Sequence, residues 1–127
     1  MNGDARILVV EDNEKNMKLF RDVLGASGYR TLEATTGREA VDMASEHTPD
    51  LVLMDIQMPD LDGVQALHRL RADARTSGIP VLALTAQAMH GDRERFLKEG
   101  FDGYLSKPVD VRELLGTVRD HCDRLAG

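Results

Sequence analysis

The stretch VLMDIQMPD, residues 52–60, joins an apolar run to an aspartate and then to a proline-containing turn. The run from Leu51 to Met54 is apolar without interruption, which is typical of a strand buried on both faces of a sheet. Asp55 then places an acid where that strand ends. Ligands of open parallel sheets bind beyond the carboxyl ends of the strands. Asp55 is therefore a candidate functional residue if the rest of the chain forms such a sheet.

Four further apolar segments predict strands, and amphipathic stretches of helical length separate them. ILVV (7–10) and VLAL (81–84) are continuous apolar runs, whereas RTLEA (30–34) and GYLS (103–106) each follow a glycine-containing helix exit. The last stretch repeats apolar residues at helical spacing, which places Cys122 in the core. Strict alternation of strand and helix predicts an α/β fold, a doubly wound five-stranded parallel sheet with helices on both faces.

Length and composition exclude several classes of protein. A chain of 127 residues with 42% apolar residues suits one domain, residues 1–127 with a core of about 5–125 and no effector domain. A net charge of -6, with scattered basic residues, argues against a nucleic-acid partner. The sequence has neither a signal peptide nor an apolar run long enough to span a membrane. Cys122 has no internal disulfide partner, so we expect a cytoplasmic location.

The predicted strand ends carry acids, a hydroxyl and a lysine. These residues are Glu11, Asp12, Asp55, Thr85, Ser106 and Lys107. Two carboxylates about 4 Å apart repel by roughly 4 kcal/mol at an effective dielectric constant near 20, so three acids together need a cation. An oxygen-only site suits a hard divalent ion, and a small site of this kind favours Mg²⁺. Asp55, between that ion and Lys107, is positioned to attack a phosphoryl group.

Each of these residues also has a purely structural interpretation. Glu11 or Asp12 could cap a helix, and Lys107 could be a solvated charge. Their joint placement at the strand ends favours a site. Other residues are expected to have structural roles: surface positions for His47, His68, His90 and His121, packing for Met54, Met58 and Met89, and turns or caps for Asp60 and Asp62.

Four segments carry a resemblance to a known family. VVEDN, LVLMDIQMPDLDG, LTA and YLSKP, in this order over nearly the whole chain, resemble the receiver domains of two-component response regulators. The resemblance implies a flavodoxin-like fold of strand order 2-1-3-4-5. It also implies phosphoryl transfer from a histidine kinase or a histidine phosphotransfer protein. EDNEKNMKLF and TAQAMHGDRERF most resemble the single-domain DivK type of cell-cycle regulator, and receivers excised from hybrid histidine kinases are the alternative.

The resemblance assigns roles position by position. Asp55 resembles the phosphoacceptor, Glu11 and Asp12 the metal-binding acids, and Gln57 the residue whose backbone carbonyl completes the Mg²⁺ shell. Thr85 resembles the switch hydroxyl, Tyr104 the switch aromatic and Lys107 the phosphate-binding lysine. Two further expectations remain. Gln57 and Gln87 would control the phosphate lifetime. The Lys107–Pro108 bond would be cis, because X-Pro peptides have only a small trans preference and the lysine must be turned into the site.

The expected function is a signalling switch without an external substrate, so the chain is not an enzyme beyond its own phosphorylation and autodephosphorylation. Its output would be binding to a downstream protein. The expected output face consists of the AMHGDRERFLKEG helix, the fifth strand and the VDVRELLGTVRDHC helix. The oligomeric state is expected to be a monomer or a weak homodimer.

Two other classes of protein share parts of this pattern. A flavodoxin-type FMN carrier needs a phosphate cradle after the first strand, where the acids of EDNEK would instead repel the phosphate. A phosphatase of the haloacid dehalogenase class needs a second aspartate two positions after the nucleophile. Gln57 occupies that position and cannot donate a proton in that way.

Overall fold

The computed structural model describes residues 5–58, 60–86 and 92–126, with the side chains of 92–93 and 123–126 left out. Strands and helices alternate along the chain as the sequence predicts. The elements are β1 (Arg6–Val10), α1 (Glu14–Ala26), β2 (Arg30–Ala34), α2 (Gly37–His47), β3 (Leu51–Asp55), α3 (Gly63–Ala72), β4 (Val81–Thr85), α4 (Asp92–Glu99), β5 (Gly103–Ser106) and α5 (Val111–Ala126).

The strands form one five-stranded sheet in the order β2-β1-β3-β4-β5, and every pairing is parallel. This confirms the predicted fold class and strand order. Asp55 is opposite Leu84 in the β3–β4 ladder, and Thr85 is opposite Ser106 in the β4–β5 ladder. Both Asp55 and Thr85 are the last residues of their strands, as the sequence predicts. The register therefore brings the candidate residues to one edge of the sheet.

The three inner strands are buried because helices cover both faces of the sheet. Alternate residues of these strands pack on opposite sides, as the pleat of a strand requires. Leu8, Val52 and Ala83 belong to the core cluster on the side of α2, α3 and α4. Val9 and Leu53 belong to the cluster on the side of α1 and α5, which also contains Cys122. The predictions of strands buried on both faces and of a buried Cys122 are confirmed.

Side-chain caps fix the starts of the first three helices. Asn13 accepts a hydrogen bond from the backbone N–H of Asn16 at the start of α1, and Thr36 accepts one from Glu39 at the start of α2. Asp62 forms a capping box with Gln65 at the start of α3, as expected of a cap residue. Because these helices start next to the carboxyl ends of strands, the caps also define the loops around the acidic edge of the sheet.

None of the helices in the described part of the chain is long and apolar enough to cross a bilayer.

Candidate functional site

An acidic cluster lies at the carboxyl edge of the sheet. Glu11 follows β1 directly, Asp12 comes next, and Asp55 ends β3. One carboxylate oxygen from each residue lies within 4.8 Å of the other two. Among the described residues no other group of His, Cys, Asp and Glu meets the same criterion. Glu11 and Asp55 are 1% and 4% exposed, whereas Asp12 is exposed. The cluster therefore opens to solvent on the side of Asp12.

Lys107 supplies a positive charge inside this cluster. Its Nζ lies 2.7 Å from Oε2 of Glu11 and 2.9 Å from Oδ2 of Asp55. The backbone N–H of Lys107 donates a 2.8 Å hydrogen bond to the carbonyl of Thr85, which holds the residue at the end of β4. The Lys107–Pro108 bond is cis, as expected from the sequence.

The remaining oxygens of the buried acids differ in how well they are satisfied. Oδ1 of Asp55 accepts a 3.0 Å hydrogen bond from the backbone N–H of Gln57. Oε1 of Glu11 accepts a 3.2 Å bond from the N–H of Asn13 and a 3.4 Å bond from the amide of Asn16. Oε2 of Glu11 has no partner of hydrogen-bonding geometry in the described residues. Its 2.7 Å contact with Lys107 is therefore an ion pair rather than a well-directed hydrogen bond.

Burial and neighbouring charges shift two of these groups. Burial raises the pKa of Glu11, and the negative charge of Asp55 raises it further, while Lys107 opposes both effects. Burial alone would lower the pKa of Lys107, but its close contacts with the carboxylates of Glu11 and Asp55 outweigh burial and raise that pKa. Lys107 therefore stays protonated. One ammonium faces three carboxylates, so the cluster keeps a deficit of positive charge.

The cluster meets the requirements of a hard divalent cation. All its ligand atoms are oxygens, which Mg²⁺ prefers, and the buried Oε2 of Glu11 lacks a well-directed donor. A cation here would offset the repulsion that Lys107 leaves uncompensated. The residues present therefore fit a metal-binding role for Glu11, Asp12 and Asp55.

The other predicted site residues differ in burial and in the contacts they make. Thr85 is buried at the end of β4. Gln57 is exposed and reaches Asp55 through its backbone N–H. Tyr104, half-buried on β5, packs with its ring centroid 6.4 Å from that of Phe96 on α4. Gln87, Met89 and His90 lie outside the described residues.

A cavity that the sequence does not predict adjoins the cluster. Its volume is about 710 Å³, and it extends from the loop after β3 to α4. Its lining consists of Asp12, Ile56, Gln57, Met58, Asp62, Val64, Arg95, Phe96 and Glu99. The helical pattern around Phe96 could have indicated a buried residue, but no local signal places α4 beside the loop after β3.

Comparison with known proteins decides the family. The profile of the response regulator receiver domain matches residues 7–119. The chain belongs to this receiver family. The receiver is 48% identical over 115 residues to the polar-differentiation response regulator DivK of Brucella ovis, covering 91% of this chain and 94% of that protein. The DivK of Brucella anthropi matches to the same extent. The predicted resemblance to receivers, and to DivK among them, is confirmed.

Solved structures of receivers share this fold closely. The receiver domain of the sensor histidine kinase PA1611 from Pseudomonas aeruginosa PAO1 has a TM-score of 0.87 at 37% identity, covering 94% of this chain and 98% of that one. That crystal structure has a magnesium ion coordinated in its active site cleft. The receiver domain of the Francisella response regulator 1452 has a TM-score of 0.89 at 30% identity, covering 95% and 98%. Because the chain belongs to the receiver family, we do not retain the flavin carrier or the phosphatase as alternatives.

Proposed function

We propose that this receiver accepts a phosphoryl group on Asp55 from a phosphohistidine of a histidine kinase or a histidine phosphotransfer protein. The observation that carries the proposal is the position of Asp55. It ends a buried strand, with Lys107 Nζ 2.9 Å from one oxygen and the N–H of Gln57 3.0 Å from the other. Such fixed donors hold the carboxylate in one orientation, which favours in-line attack.

The transfer exchanges one bond for another. A carboxylate oxygen of Asp55 attacks phosphorus, the phosphorus–nitrogen bond to the imidazole breaks, and the imidazole leaves with that electron pair. Lys107 then balances charge on the phosphoryl oxygens. Later attack by water on phosphorus breaks the bond to Asp55 and releases inorganic phosphate. Gln57, beside Asp55, is suited to influence that water, and we extend this role to Gln87 on the resemblance alone.

Mg²⁺ is the metal we propose for the cluster. Glu11, Asp12 and Asp55, with the backbone carbonyl of Gln57, would hold it. When bound, it neutralises the charge of the phosphoryl oxygens during transfer.

The proposed output is a change in protein binding at the face made of α4, β5 and α5. Tyr104 lies on β5 and packs against Phe96 of α4, so it joins two elements of this face. A phosphoryl group beside Thr85 could draw its hydroxyl inward and give the Tyr104 ring room to move. The similarity to DivK favours a role in cell-cycle regulation in the cytoplasm. The alternative is that this chain is the receiver of a hybrid histidine kinase, because the receiver of a sensor histidine kinase also matches it.

Labelling with acetyl phosphate tests the proposal. Wild type should form a base-labile phosphoprotein that hydroxylamine cleaves, in the presence of Mg²⁺, whereas Asp55→Asn should form none. Asp120→Asn makes the same change at an exposed acid on α5 and should label normally. Lys107→Ala should still label but without the conformational response. Labelling of Asp55→Asn at the wild-type level would place the nucleophile at another residue and refute the proposal.

The phosphodonor needs a second experiment. Purified histidine kinases and histidine phosphotransfer proteins, each carrying labelled phosphohistidine, should be mixed with the receiver for a short time. A cognate donor should transfer its label far faster than the others. Slow transfer from every phosphohistidine donor, with normal labelling by acetyl phosphate, would contradict the phosphohistidine part of the proposal.

A further inference from the structure

The loop between β3 and α3, residues 56–62, is fastened to the start of α2 by Asp60. Its Oδ1 accepts a 2.9 Å hydrogen bond from the backbone N–H of Gly37, and its Oδ2 accepts a 3.1 Å bond from that of Arg38. The side chain of Thr36, the N-cap of α2, accepts a hydrogen bond from the N–H of Glu39, two positions beyond Gly37. Asp60 therefore satisfies two of the N–H groups that the start of a helix leaves without intrahelical partners.

Close packing reinforces this polar contact. A Cβ atom added to Gly37 would lie 2.2 Å from the carbonyl oxygen of Leu61, which no side chain tolerates. The side chain of Leu61 is itself buried in the core cluster below α2 and α3. The loop backbone thus rests directly on the first turn of α2, and it can approach so closely because residue 37 is glycine.

The other end of the loop is fixed against the phosphoacceptor strand. The N–H of Gly63 donates a 3.0 Å hydrogen bond to the carbonyl of Ile56. A Cβ atom on Gly63 would lie 2.6 Å from the carbonyl oxygen of Asp55. Gln57, whose N–H binds the Asp55 carboxylate, lies between this contact and Asp60. The segment that borders the acidic cluster is therefore held at both ends.

The negative charge of Asp60 favours its contact with the N–H groups at the start of α2. Desolvation would raise the pKa of Asp60, but backbone N–H donors, Gly37 and Arg38 among them, outweigh it and lower that pKa. A carboxylate at the start of a helix also interacts favourably with the helix dipole.

We propose that Asp60 is a positioning residue for the metal site, although it is not one of the metal ligands. Resting on the proposed function, the inference is that Asp60 fixes the backbone at Gln57 by holding the loop against α2. Loss of a group that bonds directly to a metal ligand typically weakens metal binding by about 10- to 100-fold. Asp60 acts on Gln57 through the loop backbone, so we expect an effect at the lower end of that range. The start of α2 would thereby be coupled to Mg²⁺ affinity.

Mg²⁺ titration of three variants tests this inference. Asp60→Ala removes both acceptors, and Asp60→Asn keeps one acceptor oxygen. Thr36→Ala is the matched control, because it removes a cap from the same turn of α2 without touching the loop. Calorimetry with MgCl₂ gives the Kd, and amide hydrogen exchange reports on the backbone at Gln57. Thermal melts establish that each variant is folded at the titration temperature.

We expect Asp60→Ala to raise the Mg²⁺ Kd by about tenfold and to speed exchange of the Gln57 amide. Asp60→Asn should give a smaller increase, and Thr36→Ala should stay within about twofold of wild type. Equal Kd values for Asp60→Ala and wild type would overturn the inference, as would an equal loss in Thr36→Ala. If wild type bound no Mg²⁺, the metal part of the proposed function would fail together with the inference. Wild-type binding that Asp12→Asn removes, with no effect of Asp60→Ala, would refute the inference alone.

Discussion

At the scale of single residues, the site holds three carboxylates and only one ammonium among the described residues. Glu11 and Asp55 are buried beside each other, and Lys107 is the ammonium that contacts both. Removing one partner from a buried ion pair leaves the other charge uncompensated, and the cost is typically about 3–5 kcal/mol. Here Lys107 is shared between two carboxylates, so the metal-free cluster is held by a contact that only partly offsets the repulsion. A bound cation should therefore stabilise the fold as well as the chemistry.

Mg²⁺ should raise the free energy of unfolding by roughly 1–3 kcal/mol near saturation, because it binds the folded cluster and not the unfolded chain. Asp12→Asn should abolish most of this gain, since it removes a ligand at the open side of the cluster. The same substitution should leave the metal-free protein equally stable or more stable, because one repelling charge is gone. Urea unfolding with and without MgCl₂ measures both effects. An equal Mg²⁺ response in wild type and Asp12→Asn would contradict the ligand assignment.

At the scale of elements, the edge strand β2 is linked to α1 by a side-chain ion pair. Arg21 on α1 binds Glu33 on β2 through two contacts, from Nε at 2.5 Å and from Nη2 at 2.7 Å. Bidentate pairs of this geometry are the stronger class of ion pair. The hydrogen bond from Arg21 is the main cause that lowers the pKa of Glu33 below its ordinary 4.5. The bridge thus stabilises the fold above that pH and is lost as the pH falls through the lowered pKa.

Glu33→Gln should lower the Tm at pH 7 by about 3 °C, in line with a good surface ion pair in a domain of this size. The difference from wild type should shrink as the pH falls below 4.5 and Glu33 of wild type becomes protonated. Asp22→Asn is a suitable control, because it breaks the exposed Lys18–Asp22 pair on the same helix. It should change the Tm by less than about 1 °C. A difference between Glu33→Gln and wild type that persisted undiminished at pH 2 would show that the ion pair is not its cause.

The sequence predicts these elements to different degrees. β1, β3 and β4 are recognisable because both of their faces are buried, so the apolar runs are continuous. The acids and Lys107 could be predicted as a site because parallel strands bring their carboxyl ends together. The contact of Asp60 with Gly37 could not, because an acid in a turn usually bonds to its own neighbours and this one bonds to a helix 23 positions earlier.

At the scale of the whole molecule, different helices cover the two sides of the sheet. The helices α1 and α5 cover one side, and α2, α3 and α4 cover the other. The cluster lies at the edge where both sides meet, and Tyr104 packs against the α2–α4 side through Phe96. Phe96 in turn makes an edge-to-face contact with Phe101, at a centroid distance of 5.9 Å. A shift of Tyr104 would therefore be transmitted to α4 through an aromatic contact.

This path makes a prediction about the phosphorylated state. Beryllofluoride, which mimics the phosphoryl group, should shift the amide resonances of Phe96 and Tyr104 as well as those next to Asp55. A partner that prefers the phosphorylated form tenfold contributes only about 1.4 kcal/mol, so the two conformers must be close in free energy. Thr85→Ala should confine the shifts to the neighbourhood of Asp55, because it removes the hydroxyl that we propose is drawn towards the phosphoryl group. Thr85→Ser keeps that hydroxyl and should restore the response at Tyr104. Wild-type shifts that stop at the residues next to Asp55 would show that α4 and β5 do not carry the signal.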